Sequence, residues 1–260
     1  MTTELSMHIG LKNGATVLDD HFFTSPVKIG MPAAGTKRLH LMVMMASAGL
    51  LKGDRIVSDI CCEAGTKARL TEQSYTKIFD TGDGSAAKKR RIRLKGDASF
   101  YDCPSAVIPF KNSTFDGETI VELDRESEFA WSDIMAVGRI GMKEAFEFRH
   151  YRNKVSVRVE DVLVWMEHCL LEPAHMETEG MFFFDGYTHQ GTFYYYGPSE
   201  KTERVKMWHE ASAPKWHRQH LFGLTEARAG ICIRVLATTA QDIEELFADL
   251  AEKLELDRYF

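Results

Sequence analysis

The sequence contains no G-x-x-x-x-G-K-[ST] loop and no G-x-G-x-x-G after a strand, so nothing in it is built to cradle a nucleotide phosphate. It also lacks a G-x-S-x-G elbow to present a serine nucleophile. Cysteine is sparse. Cys61, Cys62, Cys103, Cys169 and Cys232 form an odd set of five without C-x-x-C spacing, which excludes a disulfide framework and a zinc knuckle. Reduced thiols in a cytoplasmic protein are the simplest expectation. There is no basic excess. The net charge of -6 argues against a nucleic-acid partner. Long apolar runs are missing too: Leu39 to Leu51 is broken by His40 and Ser47 and is too short to span a bilayer. Glu4, Lys12, Asp19 and Asp20 interrupt the first thirty residues, so neither a signal peptide nor a membrane association is expected.

What is present reads mainly as strands. Val155, Val157 and Val159 alternate with Ser156, Arg158 and Glu160, the period of a half-buried strand. Ile92 and Leu94 alternate with Arg91, Arg93 and Lys95 in the same way. Leu39 to Ala46 and Val162 to Leu171 are apolar on both faces, which suits strands covered on both sides. The turn residues Gly65, Gly96 and Ser127 recur at a spacing of about 31 residues, a period typical of stacked units. A plain β-meander would also produce such turns. The expected architecture is a mainly β chain of stacked sheets in a solenoid-like, β-helical arrangement. One or two C-terminal helices complete it. Ala240, Ile243, Phe247, Leu250 and Leu254 make one apolar helix face behind a Thr239 cap, and a shorter helix starts at Ser199 with Val205 and Trp208 inward. No linker divides the chain, so residues 1–260 are expected to form a single domain.

Several local features have plain structural explanations. Asp80 to Ser85 resembles a calcium loop but has glycine at ligand positions, and a hairpin tip at Asp83-Gly84 explains it better. Lys88 to Arg91 reads as a solvated face or an edge guard, or else as a dock for an acidic partner. His189 reads as a hydrogen-bonded turn histidine, and His217-x-x-His220 leaves a metal role open. Trp208, Trp216 and Phe222 are candidates for an exposed docking patch or, equally, for core packing.

One signal stands out. In Phe129 to Val137 the odd positions are apolar except for Asp133, and in Leu163 to Leu171 they are apolar except for Glu167. Asp54 heads a third such face, with Ile56, Ser58, Ile60 and Cys62. An ionised carboxylate in a dry core costs several kcal/mol unless it meets a cation, hydrogen-bond donors or water. Pairing with Arg139, Lys77 or backbone amides would satisfy each one. The alternative is a wet internal passage for a divalent cation, because sparse carboxylates attract such an ion without trapping it.

Ala48-Gly-Leu-Leu-Lys-Gly-Asp54, Leu70-Thr-Glu-Gln-Ser-Tyr-Thr-Lys77, Pro104 with Pro109-Phe110, and Ser132-Asp-Ile-Met-Ala-Val-Gly-Arg139 followed by Glu144 occur in this order. Together they resemble the urease accessory protein D/H family over roughly Phe22 to Thr192. Phe22-Phe-Thr-x-Pro26 and Phe184-Asp-Gly-Tyr-Thr-His189 resemble its Helicobacter-type H branch. The resemblance implies a maturation factor that is not an enzyme: a chaperone-like scaffold binding apo-urease and the F-type accessory protein, with a G-type GTPase joining through the F protein. It implies that Ni²⁺ is in transit, with no cofactor stably bound. Asp54, Asp133 and Glu167 would mark the nickel path, and Lys77, Arg139 and Glu144 would hold the structure around it. The rivals are a β-solenoid protein-binding module with no direct metal role and a cytosolic hydrolase using Cys or His chemistry.

Overall fold

A computed structural model describes residues 1–31, 38–178, 180, 183–216 and 220–256, with residues 213–215 described by backbone alone. In chain order the strands are β1 (Thr2–Lys12), β2 (Ala15–Phe23), β3 (Val27–Gly30), β4 (Leu39–Met45), β5 (Arg55–Cys62) and β6 (Lys67–Gln73). Then come β7 (Thr76–Ile78), β8 (Ala86–Leu94), β9 (Ser99–Cys103), β10 (Val107–Pro109), β11 (Thr114–Leu123) and β12 (Glu128–Ala136). The last group is β13 (His150–Val159), β14 (Val162–Leu171), β15 (His189–Tyr196), helix α1 (Ser199–Trp216), β16 (Leu221–Glu226), β17 (Ile231–Ala237) and helix α2 (Ala240–Lys253).

Two sheets face each other. The seven-stranded sheet runs β14-β13-β11-β8-β5-β1-β2. The ten-stranded one runs β16-β17-β15-β12-β9-β6-β4-β3, with β7 and β10 paired beside β12. β5, β8, β11 and β13 are parallel neighbours in the first, and β4, β6, β9 and β12 are parallel neighbours in the second. A meander would pair its neighbours antiparallel, so the stacking is that of a solenoid. Cys62 lies beside Leu94 and Leu94 beside Leu123, so one coil takes 32 residues and the next 29. The corners repeat as well: the Gly65 amide donates to Asp97 Oδ1 and the Gly96 amide to Asp124 Oδ2, each at 2.7 Å. Both glycines sit at positive φ, +78° and +53°, where a side chain would be strained.

Inward faces build the core. Ile60, Ile92, Val121, Val157 and Trp165 from the seven-stranded sheet meet Leu70, Phe100, Phe129, Trp131 and Tyr194 from the other. Trp165 stacks on Tyr194 with ring centres 4.3 Å apart. The outer face of the ten-stranded sheet is covered by the helices: Tyr101, Ile134, Phe193 and Tyr195 pack against Val205, Trp208, Ile243, Phe247 and Leu250. α2 begins as its sequence suggests, with Thr239 Oγ1 accepting from the Asp242 amide at 3.2 Å. It lies so close to β15 that a Cβ on Gly191 would sit 2.5 Å from Ile243 Cγ2.

Three expectations change, and one open alternative is decided. Val162 to Leu171 is not covered on both sides, because no helix lies on the outer face of the seven-stranded sheet among the described residues; Met166 and Leu170 are exposed. Trp208, Trp216 and Phe222 are buried and pack in the core rather than forming a patch. Asp80 to Ser85 is no hairpin, since it joins β7 in one sheet to β8 in the other. Asp80 is occupied there by the Gly82 amide and by Asn112. The basic run Lys88 to Arg91 is only half solvated: Lys89 and Arg91 point out, while Arg90 is buried and Lys88 turns inward. His217 lies outside the described residues. Among the described residues no helix is long and apolar enough to cross a membrane.

Candidate functional site

The inter-sheet space is apolar at both ends and polar across its middle. One core cluster holds Ile60, Ile92, Val121 and Val157; another holds Ile56, Phe115, Met135, Val137 and Leu171. Between them, on the seven-stranded sheet, one row across the strands reads Ser58, Arg90, Thr119, Val155, Glu167. The next row reads Ile56, Lys88, Gly117, Asn153, Cys169. Glu72, Asp102, Asp133, Thr192 and Arg234 answer them from β6, β9, β12, β15 and β17.

Four polar rungs join the sheets. Lys88 pairs with Glu72. Arg90 Nη2 meets Asp102 Oδ1 at 2.6 Å, with both residues buried. Asn153 Nδ2 donates to Asp133 Oδ2 at 2.9 Å, and Arg234 Nη2 meets Glu167 Oε2 at 2.5 Å. Adjacent strands lie about 4.8 Å apart, so the belt from β6 to β17 is roughly 20 Å long.

Asp133 differs from the other carboxylates of the belt. Its rung partner is a neutral amide, not a cation. Burial pushes its carboxyl up to about 6; the Asn153 amide and the Lys88 ammonium pull against this, while Glu167 and Glu72 push further up. Burial also pushes Glu72 up, but Lys88 and Arg90 more than offset it, and Glu72 stays below the usual carboxylate value. Asp102 is raised by burial despite Arg90.

Among the described residues two cavities open onto the middle of the belt at Lys88 and Arg90, and a third, more open one lies beside Arg234 at its edge. The smaller of the first two, about 30 Å³, is lined by Lys88, Arg90, Ser105, Thr119, Asp133 and Asn153. That is room for about two waters. The larger, about 180 Å³, is lined by Val43, Met45, Ser58, Glu72, Lys88 and Arg90, and reaches the surface at Ala48, Gln73 and Lys77. It has room for about a dozen waters. Lys88 and Arg90 line both and form the septum between them.

The six residues singled out from the sequence therefore scatter. Asp133 and Glu167 both enter the belt, as their strand faces require. Glu167 is locked to the half-exposed Arg234 at the open edge. Asp54 does not join them: it lies just before β5, where Oδ2 accepts from the Leu51 amide at 2.9 Å and Oδ1 faces the Met1 amino group at 3.4 Å. It closes a turn and lines neither cavity. Arg139 forks onto Glu144, lies 4.4 Å from the Phe110 ring centre, and Glu144 Oε1 also accepts from the Lys111 amide at 2.7 Å. Lys77 acts through its backbone: its carbonyl accepts from the Leu50 amide at 2.8 Å, and a Cβ on Gly49 would strike that carbonyl at 2.5 Å. His189 opens β15 with Nδ1 at 2.9 Å from Thr188 Oγ1. His220 Nδ1 lies 3.2 Å from the Trp216 carbonyl and is buried beneath α2.

Glu72, Asp102, Asn153 and Arg234 carry no site reading in the sequence, and Lys88 and Arg90 enter it only as part of the basic run Lys88 to Arg91, not as belt residues. The signal for two of them was available. Extending the alternation of Ile92 and Leu94 back by two positions, and by two more, puts Arg90 and Lys88 on the inward face.

The chain is thus a β-solenoid-like pair of sheets with helices on one outer face and a charged belt within. The sequence model of the UreD urease accessory protein family matches residues 1–258, and the chain belongs to that family. UreH of Helicobacter hepaticus is 31% identical over 241 residues, 92% of each chain. UreD of Acetivibrio thermocellus is 30% identical over 249 residues, 94% of each chain. UreH of Helicobacter pylori strain G27 is 35% identical over 181 residues, 68% of this chain and 67% of the relative. The family match continues past Thr192, where the block resemblance fades, and takes in both helices.

Proposed function

We propose that this chain serves urease maturation as a non-catalytic scaffold that passes Ni²⁺ between its two sheets. In this reading it binds apo-urease and the F-type accessory protein, with the G-type GTPase joining through the F protein. The absence of a phosphate loop from the sequence leaves nucleotide chemistry to such a partner.

The observation that carries the reading is Asp133, a carboxylate on an internal cavity with an amide in place of a countercation. A carboxylate oxygen with water beside it binds a borderline divalent ion weakly, which suits passage rather than storage. Glu72 stands roughly 10 Å from it along the belt, two strand spacings away on the same sheet, and Glu167 lies on the facing sheet one strand beyond Asn153, the rung partner of Asp133. The larger cavity has room for a hydrated ion and the smaller one does not. The Lys88 and Arg90 septum must therefore move, or the ion must shed most of its water, before it reaches Asp133. Asp54 shapes the turn ahead of β5, and Arg139 with Glu144 braces the neighbouring loop.

A second reading has its own support. Glu72, Asp102 and Glu167 are each paired with a basic side chain across the sheets, as in a protein-binding solenoid without a metal role. Alanine at Asp133 or Glu167 separates the two. On the path reading, both variants lower urease activation in cells expressing the full accessory set, while co-purification of the accessory complex stays normal. Normal activation by both variants would leave only the scaffold.

A further inference from the structure

His8 on β1 and Cys61 on β5 are register partners, and Glu63 follows Cys61 by two residues on the same side of the strand. Their neighbours Met7, Ile9, Ile60 and Cys62 fill the core, so these three project from the outer face of the seven-stranded sheet, away from the belt. His8 Nε2 lies 2.8 Å from Glu63 Oε1, and Cys61 Sγ lies 4.0 Å from the same oxygen. The three ligand atoms all fall within 4.8 Å of one another. A tetrahedral ion with bonds of about 2.0 Å to nitrogen and oxygen and about 2.3 Å to sulfur needs ligands roughly 3.5 Å apart. Rotamer adjustments of less than about an ångström would supply that spacing.

The surroundings resemble those of a built metal ligand. His8 points Nδ1 toward Asp19 Oδ2 at 3.8 Å, longer than a hydrogen bond, which leaves Nε2 for an ion; a small ring rotation would close that gap and hold the imidazole between a carboxylate and a metal, the usual arrangement. Asp19 occupies the bulge between β1 and β2, which carries it out of the ladder and toward the ring. Lys12 holds the other Asp19 oxygen at 2.7 Å. Lys95 competes, at 2.7 Å from Glu63 Oε1, and leaves Oε2 for coordination. His8 and Glu63 are each roughly a third exposed or more, at 40% and 35%, so an ion can reach the site from solvent.

We propose that His8, Cys61 and Glu63 form a surface site for one borderline divalent transition ion, of the Zn²⁺ or Ni²⁺ class, with Asp19 positioning His8. One imidazole, one thiolate and one carboxylate match that class better than Mg²⁺ or Ca²⁺, which prefer all-oxygen shells. Three protein ligands leave a position for water or for a donor from another molecule, so the ion stays exchangeable. Cys61 releases its proton to solvent as the ion binds. The site does not depend on the belt: it lies on the opposite face of the sheet and shares no residue with it.

Titration of the reduced, full-length chain with Co²⁺ tests this. Thiolate-to-Co²⁺ charge-transfer absorption should rise to one equivalent and disappear when Zn²⁺ or Ni²⁺ displaces the probe. Cys61→Ser should abolish the band. His8→Gln and Glu63→Gln should weaken binding at least about tenfold, and Asp19→Asn by about ten- to a hundredfold. Lys95→Gln should tighten it. Melting midpoints of the metal-free variants establish that each is folded, and His8→Gln carries the test if Cys61→Ser is not. The proposal is overturned if the parent chain gives no such band, or if the band persists in Cys61→Ser. A band lost in Asp133→Asn but kept in Cys61→Ser would place the ion in the belt and overturn it equally.

Discussion

Replacing Asp133 with asparagine should make the protein more stable at neutral pH. The folded carboxyl holds its proton up to about pH 6, against 3.8 when solvated. Between those values the folded chain binds more protons than the unfolded one, so stability falls as pH rises through this window and stays low above it. That rise corresponds to about 3 kcal/mol, and relaxation of Lys88 and nearby water brings the expected effect to about 1–3 kcal/mol. The amide oxygen introduced by Asp133→Asn would still accept the Asn153 amide hydrogen, so the rung survives. Urea denaturation of parent and variant from pH 4 to pH 7.5 measures the difference. The variant should gain most at pH 7.5 and nothing at pH 4. A variant less stable than the parent at pH 7.5, or a difference that ignores pH, would refute the claim that burial destabilises this carboxylate. Combined with lost urease activation, a gain in stability would mark a group retained at an energetic cost for function.

Two further expectations follow from the same geometry. Arg90→Met should cost about 3–5 kcal/mol by thermal or urea melting, because it leaves the buried Asp102 without its cation, and Arg90→Met with Asp102→Leu should recover most of that loss. Gly191→Ala should cost about 1–3 kcal/mol, since its methyl would be driven into Ile243 and Phe247 beneath α2; a melting point equal to the parent's would show that the helix yields freely.

Much of the architecture could be read from local chemistry. The spacing of Gly65, Gly96 and Ser127 marked the coil, because each corner needs a turn residue and each coil brings the next corner round. The faces of β12 and β14 were readable for the same reason: side chains alternate, so Asp133 and Glu167 had to share a side with Trp131 and Trp165. Asp54 shows the limit of that argument. It continues the alternation of β5 on paper, but the strand begins at Arg55, and a residue before the ladder answers to its turn. The partners of the belt were out of reach for another reason. Which acid meets which base depends on how two sheets stack, and no period within one strand encodes that. The uncovered face of β14 is equally invisible: its outward residues are as apolar as those of a strand covered on both sides, and only the placement of the helices on the other sheet leaves Met166 exposed.

Glu72, Asp102 and Asp133 sit on β6, β9 and β12, one acid for each successive turn of the chain. The distance across the molecule is therefore quantised. Inserting or deleting one repeat in a relative would lengthen or shorten the charged transect by a single step of about 5 Å, with the flanking hydrophobic layers extended in proportion. Reach in this architecture is set by counting repeats, and a lineage could adjust it without redesigning any one acidic station.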